Sequence, residues 1–231
     1  MSKNYPVVYK VCLEIGYDRG WIFAHLPELA GCFSKERSRE ESLKKLPDAI
    51  RHYFSWIKSH GENCPDNEKI EIEISETFRC YNVKNYEVNA FFEADRPSLT
   101  KEEIETGILR MGWSRQDLLS ITSQLPPEIL DRKLDKNRRS IRETLEHVAT
   151  AEWWYLTRIN LSVPHHREFP GETFQKMGAL RELVVDRLSN LTEEERSRIT
   201  VHSGEKWSAR KGLRRLLEHE GEHLLSIKEI L

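Results

Sequence analysis

The hydrophobic residues of this chain change period near its middle, and this change constrains the fold more than any other feature. In segments 7–15 and 68–75, apolar residues occupy every second position. Such alternation predicts strands with one buried face. From position 100 onward the apolar residues follow helical spacing, which predicts amphipathic helices. The chain should therefore fold as an α+β protein with a small α/β part followed by a helical part.

The N-terminal part is predicted to place one helix among several strands. A turn at 16–20 separates the first strand from a second apolar run at 21–26, and positions 40–58 carry apolar residues at helical spacing. Pro47 lies within that helix and is expected to kink or delay it. The predicted order is strand, strand, a third strand left open, helix and strand. Aromatic and Asn residues between 76 and 97 are consistent with a further hairpin.

Four helices are predicted in the C-terminal part. Their ranges are 101–124, 141–160, 174–190 and 209–231. Thr100 with Glu103, and Ser140 with Glu143, have the spacing of capping boxes, and Ser208 is placed to cap the fourth helix. Long connections separate the helices, and a four-helix bundle is the simplest architecture that buries the apolar faces of all four.

The domain boundary is placed at Pro97, which closes the mixed segment just before the first capping box. The predicted domains are 1–97 and 98–231. A chain of 231 residues is long enough for two domains that each bury a core.

Composition limits the partners that this chain can have. Charged residues make up 32% of the chain, but the formal net charge is only −2, which argues against nucleic acid or an anionic membrane as a partner. The N-terminus lacks a secretory apolar segment, and no apolar run approaches a membrane span, so we expect a cytoplasmic location. The cysteines, which are Cys12, Cys32, Cys64 and Cys80, form no C-x-x-C pair and are expected to be reduced structural thiols.

Three histidines on the predicted helices form a candidate metal site. His219 and His223 lie four positions apart on the fourth helix and therefore share one surface. A helical projection puts His223 inside the apolar arc and His219 at its edge, while His147 on the second helix can face them across the bundle. Imidazoles that converge from two helices suit a divalent metal. Packed, hydrogen-bonded histidines remain the alternative.

Positions 219–223 also satisfy H-E-x-x-H, the zincin metallopeptidase signature. Zincins take their third ligand from further downstream, where only eight residues remain, so this match is interpreted as accidental. Glu220 and Glu222 are interpreted as solvated surface residues, with a base or second-shell acceptor as the alternative.

Other candidate residues are given structural interpretations. His25 is expected to be a satisfied histidine of a strand, and His165 with His166 are interpreted as loop residues. Trp154 and Trp207 are core residues or walls of a cavity near the metal. The basic segment 132–142 is interpreted as a solvated loop.

Residues 5–75 resemble the HicB-like antitoxin domain, a small α/β module related to part of the RNase H fold. The resemblance is carried by Glu14, the run 20–29 (GWIFAHLPEL), Gly31-Cys32 and the helix start at 41–43. The segment 36–38 departs from the usual turn of that family, and no DNA-binding segment follows position 74. The resemblance therefore implies a docking, lid or partner-binding module.

Residues 98–231 resemble the DinB/YfiT family of four-helix metalloproteins. The matching segments are 140–149 (SIRETLEHVA), 152–156, 207–208, 216–220 and 222–223. The resemblance implies that His147, His219 and His223 bind a divalent metal, nickel or zinc. It further implies a small-molecule substrate, a low-molecular-weight thiol as cosubstrate, and pairing into homodimers as in relatives.

The leading functional expectation is a metal-dependent thiol transferase or hydrolase. Three neutral histidines leave a bound divalent metal Lewis acidic, with positions open for other ligands. No catalytic side chain beyond the ligands and no organic cofactor is identified. The alternative is a non-catalytic regulatory or interaction protein, related to toxin–antitoxin or stress systems, in which the HicB-like domain binds a partner.

Overall fold

A computed structural model describes residues 7–64, 69–136 and 138–231, which form two compact units. The first unit extends to Arg96 and includes Val201–Lys206, and the second comprises Pro97–Thr200 with Trp207–Leu231. The two-domain α+β class is confirmed, whereas independent domains at 1–97 and 98–231 stay a prediction. Predictions that fall on positions 1–6, 65–68 and 137 lie outside the described residues.

The first unit contains a mixed sheet, one long helix and a small hairpin. The elements are β1 (Val7–Gly16), β2 (Trp21–His25), β3 (Phe33–Glu36), α1 (Arg39–Ser59), β4 (Ile70–Arg79), β5 (Tyr81–Val83) and β6 (Tyr86–Val88). A single turn at Tyr17–Gly20 joins β1 to β2, and a 3-10 turn at Glu93–Asp95 follows β6.

The main sheet has the strand order β3-β2-β1-β4. β2 is antiparallel to both of its neighbours, whereas β4 is parallel to β1 and is reached through α1. The third strand, left open by the sequence, is therefore present. α1 begins at Arg39 and continues through Pro47 to Ser59, so the proline does not delay the helix.

The second unit contains four long helices. They are α2 (Lys101–Thr122), α3 (Ile141–Arg158), α4 (Thr173–Ser189) and α5 (Ala209–Lys228). Short helical turns at Pro127–Leu130, His166–Glu168 and Glu193–Ser197 lie in the connections. Each predicted end of a long helix lies within three residues of the observed one, because the caps at Thr100, Ser140 and Ser208 form as expected.

A hairpin lies in the segment predicted as a plain connection between the third and fourth helices. It consists of β7 (Ile199–His202) and β8 (Glu205–Ser208), joined by Ser203 and Gly204, whose φ angles are 52° and 88°. Two successive positive φ angles are typical of a tight turn between antiparallel strands. The two strands are not predicted from the sequence because four residues are too few to show a period.

Apolar residues from all four long helices form the core of the second unit. The buried cluster includes Leu118 of α2, Leu145 of α3, Leu180 of α4 and Ile227 of α5. α2 and α5 approach closely at Gly107, where an added Cβ would lie 2.7 Å from a Leu213 methyl group. None of the helices in the described ranges is long and apolar enough to cross a membrane.

Candidate metal centre

His147 of α3 and His219 and His223 of α5 come together in the second unit. The Nε2 atom of His219 lies 3.1 Å from that of His147 and 3.2 Å from that of His223. One ring nitrogen from each histidine lies within 4.8 Å of the others. The structure thus brings together all three histidines that the sequence singled out.

Burial of the two α5 histidines is the reverse of the sequence expectation. His219 is buried, whereas His223 is only half-buried. The helical projection assumed that the leucines of α5 mark its one buried face. Between Lys211 and Glu220, however, every residue of α5 is buried, charged side chains included, so the apolar arc does not define the protected side.

The environment of His219 favours a neutral imidazole. Burial lowers its pKa well below the ordinary value, and the positive charges that His223 and His147 would carry lower the pKa further. A neutral imidazole presents a lone pair, which is the form that coordinates a metal.

Two of the three nitrogen separations fit a shared cation. Zinc–imidazole bonds of roughly 2.0–2.1 Å place neighbouring nitrogens about 3.3 Å apart in a tetrahedral site and about 2.9 Å apart at right angles. The observed separations of 3.1 and 3.2 Å fall between these values. An imidazole Nε2 atom carries either one proton or one lone pair, so it can make only one strong hydrogen bond. The Nε2 atom of His219, however, faces the Nε2 atoms of both His147 and His223. Hydrogen bonds alone therefore do not account for this arrangement. The donor set therefore fits a divalent metal.

A buried network of four charged residues lies beside this cluster. Each long helix contributes one member: Arg115 from α2, Glu152 from α3, Arg181 from α4 and Glu220 from α5. Arg115 donates to Glu152 at 2.8 Å and to Glu220 at 2.6 Å, and Arg181 donates to Glu220 at 2.7 Å and also to Glu152. We refer to these residues as the four-charge network.

Main-chain oxygens complete the surroundings of the two arginines. Arg115 Nη1 donates to the carbonyl oxygen of Met177, and Arg181 Nη1 donates to that of Met111. Paired charges that also make hydrogen bonds can offset the desolvation cost of burying them. The network therefore belongs to the interior of the unit.

Glu220 is a correction to the sequence interpretation, which took it for a solvated surface residue. It is 1% exposed, and its two carboxylate oxygens accept hydrogen bonds from Arg115 and Arg181. Burial alone would raise the pKa of this carboxyl group, but the charges of Arg181 and Arg115 outweigh burial and lower the pKa. A carboxylate whose two oxygens both accept from guanidinium groups is a poor proton acceptor, which argues against a role of Glu220 as a general base.

A group of aromatic side chains adjoins the histidine cluster through Tyr155. The ring of Tyr155 lies 5.8 Å from His219 and 5.8 Å from Trp207, which in turn makes an edge-to-face contact with Trp154 at 5.4 Å. Trp207 is 2% exposed and thus belongs to the core, whereas Trp154 is half-buried. Burial raises the pKa of Tyr155, although Arg215 opposes this effect, so the phenol stays protonated.

A cleft of about 530 Å³ opens beside His147. One wall is formed by the basic side chains of Lys133, Lys136, Arg138 and Arg139, and the other by the first turns of α3. The sequence interpretation of the basic segment 132–142 as a solvated loop is therefore incomplete. These four side chains are exposed, but they line the same cleft as a candidate metal ligand.

The other histidines that the sequence singled out pack against aromatic rings or make hydrogen bonds outside the candidate metal site. His25 is fully buried in the first unit, where its Nε2 atom lies 3.0 Å from Glu14 and its ring stacks on Phe23, so the expectation of a satisfied histidine is confirmed. His165 and His166 pack against Trp153. Cys12, Cys32, Cys64 and Cys80 form no disulfide bonds in the structure.

The site is thus a cluster of three histidines held by two helices of a four-helix unit, which defines an α+β protein whose helical unit contains a candidate metal centre. Residues 110–227 match the sequence model of the DinB superfamily. Because this match spans just over half of the chain, the chain belongs to the DinB superfamily. The match includes all three histidines and all four members of the four-charge network.

A second similarity concerns the N-terminal part. The chain is 33% identical over 55 residues to the UPF0150 protein Ta0767 of Thermoplasma acidophilum, a match that covers 24% of this chain and 80% of that protein. This similarity supports the HicB-like resemblance. No solved structure gives a significant match to the chain.

Proposed function

We propose that this protein is a divalent-metal-dependent enzyme of the thiol transferase or hydrolase type, with His147, His219 and His223 as the metal ligands. The observation that carries the proposal is the convergence of three imidazole nitrogens within 4.8 Å of one another. Nickel or zinc is the proposed metal, since both accept imidazole ligands.

The chemistry follows from the charge of the ligand set. A divalent metal held by neutral imidazoles would keep its full positive charge and supply Lewis acidity toward a thiol or a water molecule. Tyr155 and the core around Trp207 keep water from the buried side of His219. The cleft beside His147 gives a small-molecule substrate and a low-molecular-weight thiol a route to the site.

Metal analysis of protein purified without an affinity tag tests this proposal. We expect about one nickel or zinc ion per chain in the wild type, and loss of stoichiometric metal in His147→Ala and in His219→Ala, since each removes one of three ligands. His165→Ala is the matched control, because it removes an exposed imidazole of the same unit. Circular dichroism verifies that each variant is folded.

Absence of stoichiometric metal from the wild type would refute the metal site, as would full metal content in both ligand variants. A thiol-consumption assay with a panel of electrophiles then tests turnover. A protein that binds metal but transfers no thiol and hydrolyses no substrate would support the regulatory alternative, with the HicB-like part as the partner-binding module.

A further inference from the structure

The cleft beside His147 carries an excess of positive charge. Its lining includes the four cations Lys133, Lys136, Arg138 and Arg139, but only two carboxylates, both from α3. Lys133 is paired with one of these, Glu143, at 2.7 Å. Arg139 also acts electrostatically on Glu143, so among the described lining residues four cations face two carboxylates, those of Glu143 and Glu146.

Ion pairs fix the basic segment over the start of α3. Arg142 donates to both carboxylate oxygens of Asp131, at 2.6 and 3.1 Å, and Lys133 pairs with Glu143. These two pairs link the N-terminal end of the segment to the first turn of α3, into which its C-terminal end leads directly. Lys136, Arg138 and Arg139 take part in neither pair, and their exposed side chains line the cleft.

We propose that this cleft binds an anionic group, a carboxylate or a phosphate, of a small molecule placed next to His147. The inference rests on the proposed function, because it names the substrate class of the same site. The cleft is widely open to solvent, so a small organic molecule has access to these side chains and to His147. Guanidinium groups such as those of Arg138 and Arg139 bind oxyanions through paired hydrogen bonds.

A small anion fits the observations better than a nucleic acid. A polyanion would require a basic surface that extends along several phosphates, whereas the cations here line one cleft that also contains a candidate metal ligand. The formal net charge of −2 for the whole chain also disfavours a polyanionic partner.

Calorimetric titration of the full-length, metal-loaded protein tests the proposal. The probes are succinate, inorganic phosphate and neutral succinamide, with a short oligonucleotide as the polyanion. We expect saturable binding of succinate or phosphate, which identifies the anionic group, and no binding of succinamide. Affinity should fall at least tenfold in the double variant Arg138→Gln/Arg139→Gln. Arg132→Gln is the matched control, because it removes one charge from the same segment but outside the cleft lining.

The inference is overturned if neither anion binds, if succinamide binds equally well, or if Arg132→Gln weakens binding as much as the double variant does. It is also overturned if only the oligonucleotide binds. Metal analysis of the same samples separates this result from the metal proposal. If the wild type contains no metal but still binds the anion through the two arginines, the anion site is supported and the metal proposal is refuted.

Discussion

The Glu220 side chain follows a candidate metal ligand directly in sequence, yet it is directed at two arginines. Its oxygens accept from Arg115 and Arg181, at 2.6 and 2.7 Å. The side chains of neighbouring residues on a helix point in directions about 100° apart. Glu220 therefore anchors α5 on the side next to His219, and it stabilises the helix that carries two of the three histidines.

We predict that Glu220→Ala strongly destabilises the protein. The substitution leaves two buried guanidinium groups with Glu152 as their remaining carboxylate, and breaking a buried charge pair costs about 3–5 kcal/mol. Glu182→Ala on α4 is the control, because Glu182 is exposed and should change the free energy of unfolding by less than about 0.5 kcal/mol. Denaturant unfolding measures both. Equal stabilities of the two variants would show that the network does not stabilise the fold.

At the scale of the element, α3 combines a well-defined start with a candidate ligand two turns later. The Ser140 side chain accepts a hydrogen bond from the main-chain N–H of Glu143, and the Glu143 side chain accepts one from the N–H of Ser140. This capping box fixes where the helix begins and thus the direction in which His147 points.

Ser140→Ala should reduce stability by about 0.5–2 kcal/mol, because the first turn loses its cap. Ser120→Ala is the comparison, since Ser120 is exposed within α2, where alanine is favourable. Thermal unfolding followed by circular dichroism distinguishes the two. A melting temperature that falls in Ser120→Ala but not in Ser140→Ala would contradict the role of the cap.

The sequence predicts the long helices and the alternating strands β1 and β4 well, but it does not predict the hairpin at 199–208. Helical periodicity extends over several turns and is reinforced by caps, whereas β7 and β8 have four residues each. The Ser203-Gly204 dipeptide was the available signal, since glycine accepts the positive φ that such turns need.

The sequence predicts those residues of the candidate site whose position follows from the spacing of residues along a helix. The spacing of His219 and His223 indicates a shared surface, and the apolar pattern of α3 places His147 opposite. The four-charge network depends instead on which helices are neighbours in space. Its burial cannot be predicted from local sequence, because the partners of each charge lie more than 25 positions away.

At the scale of the whole molecule, the chain leaves the first unit and later returns to it. Val201–Lys206 belongs to the first unit although both flanking segments belong to the second. Within the first unit, Tyr86 donates to Glu205 at 2.5 Å, and the turn glycine Gly204 lies against Val83. The two units are therefore connected at more than one point of the sequence.

We predict that cutting the chain once between Arg96 and Pro97 does not release the two fragments. A protease site inserted there permits the test, and the cut fragments should elute together in gel filtration under native conditions. They should separate in denaturant, which serves as the control for complete cleavage. Separation in native buffer would show that residues 201–206 are not held by the first unit.

The four-charge network also has an evolutionary consequence. Each long helix supplies one of its members, so the loss of any one leaves the other helices with an uncompensated charge in the interior. Single substitutions at these four positions should be rare among descendants of this sequence. The positions should instead be inherited as a set, or be replaced together by apolar residues in a lineage that abandons them.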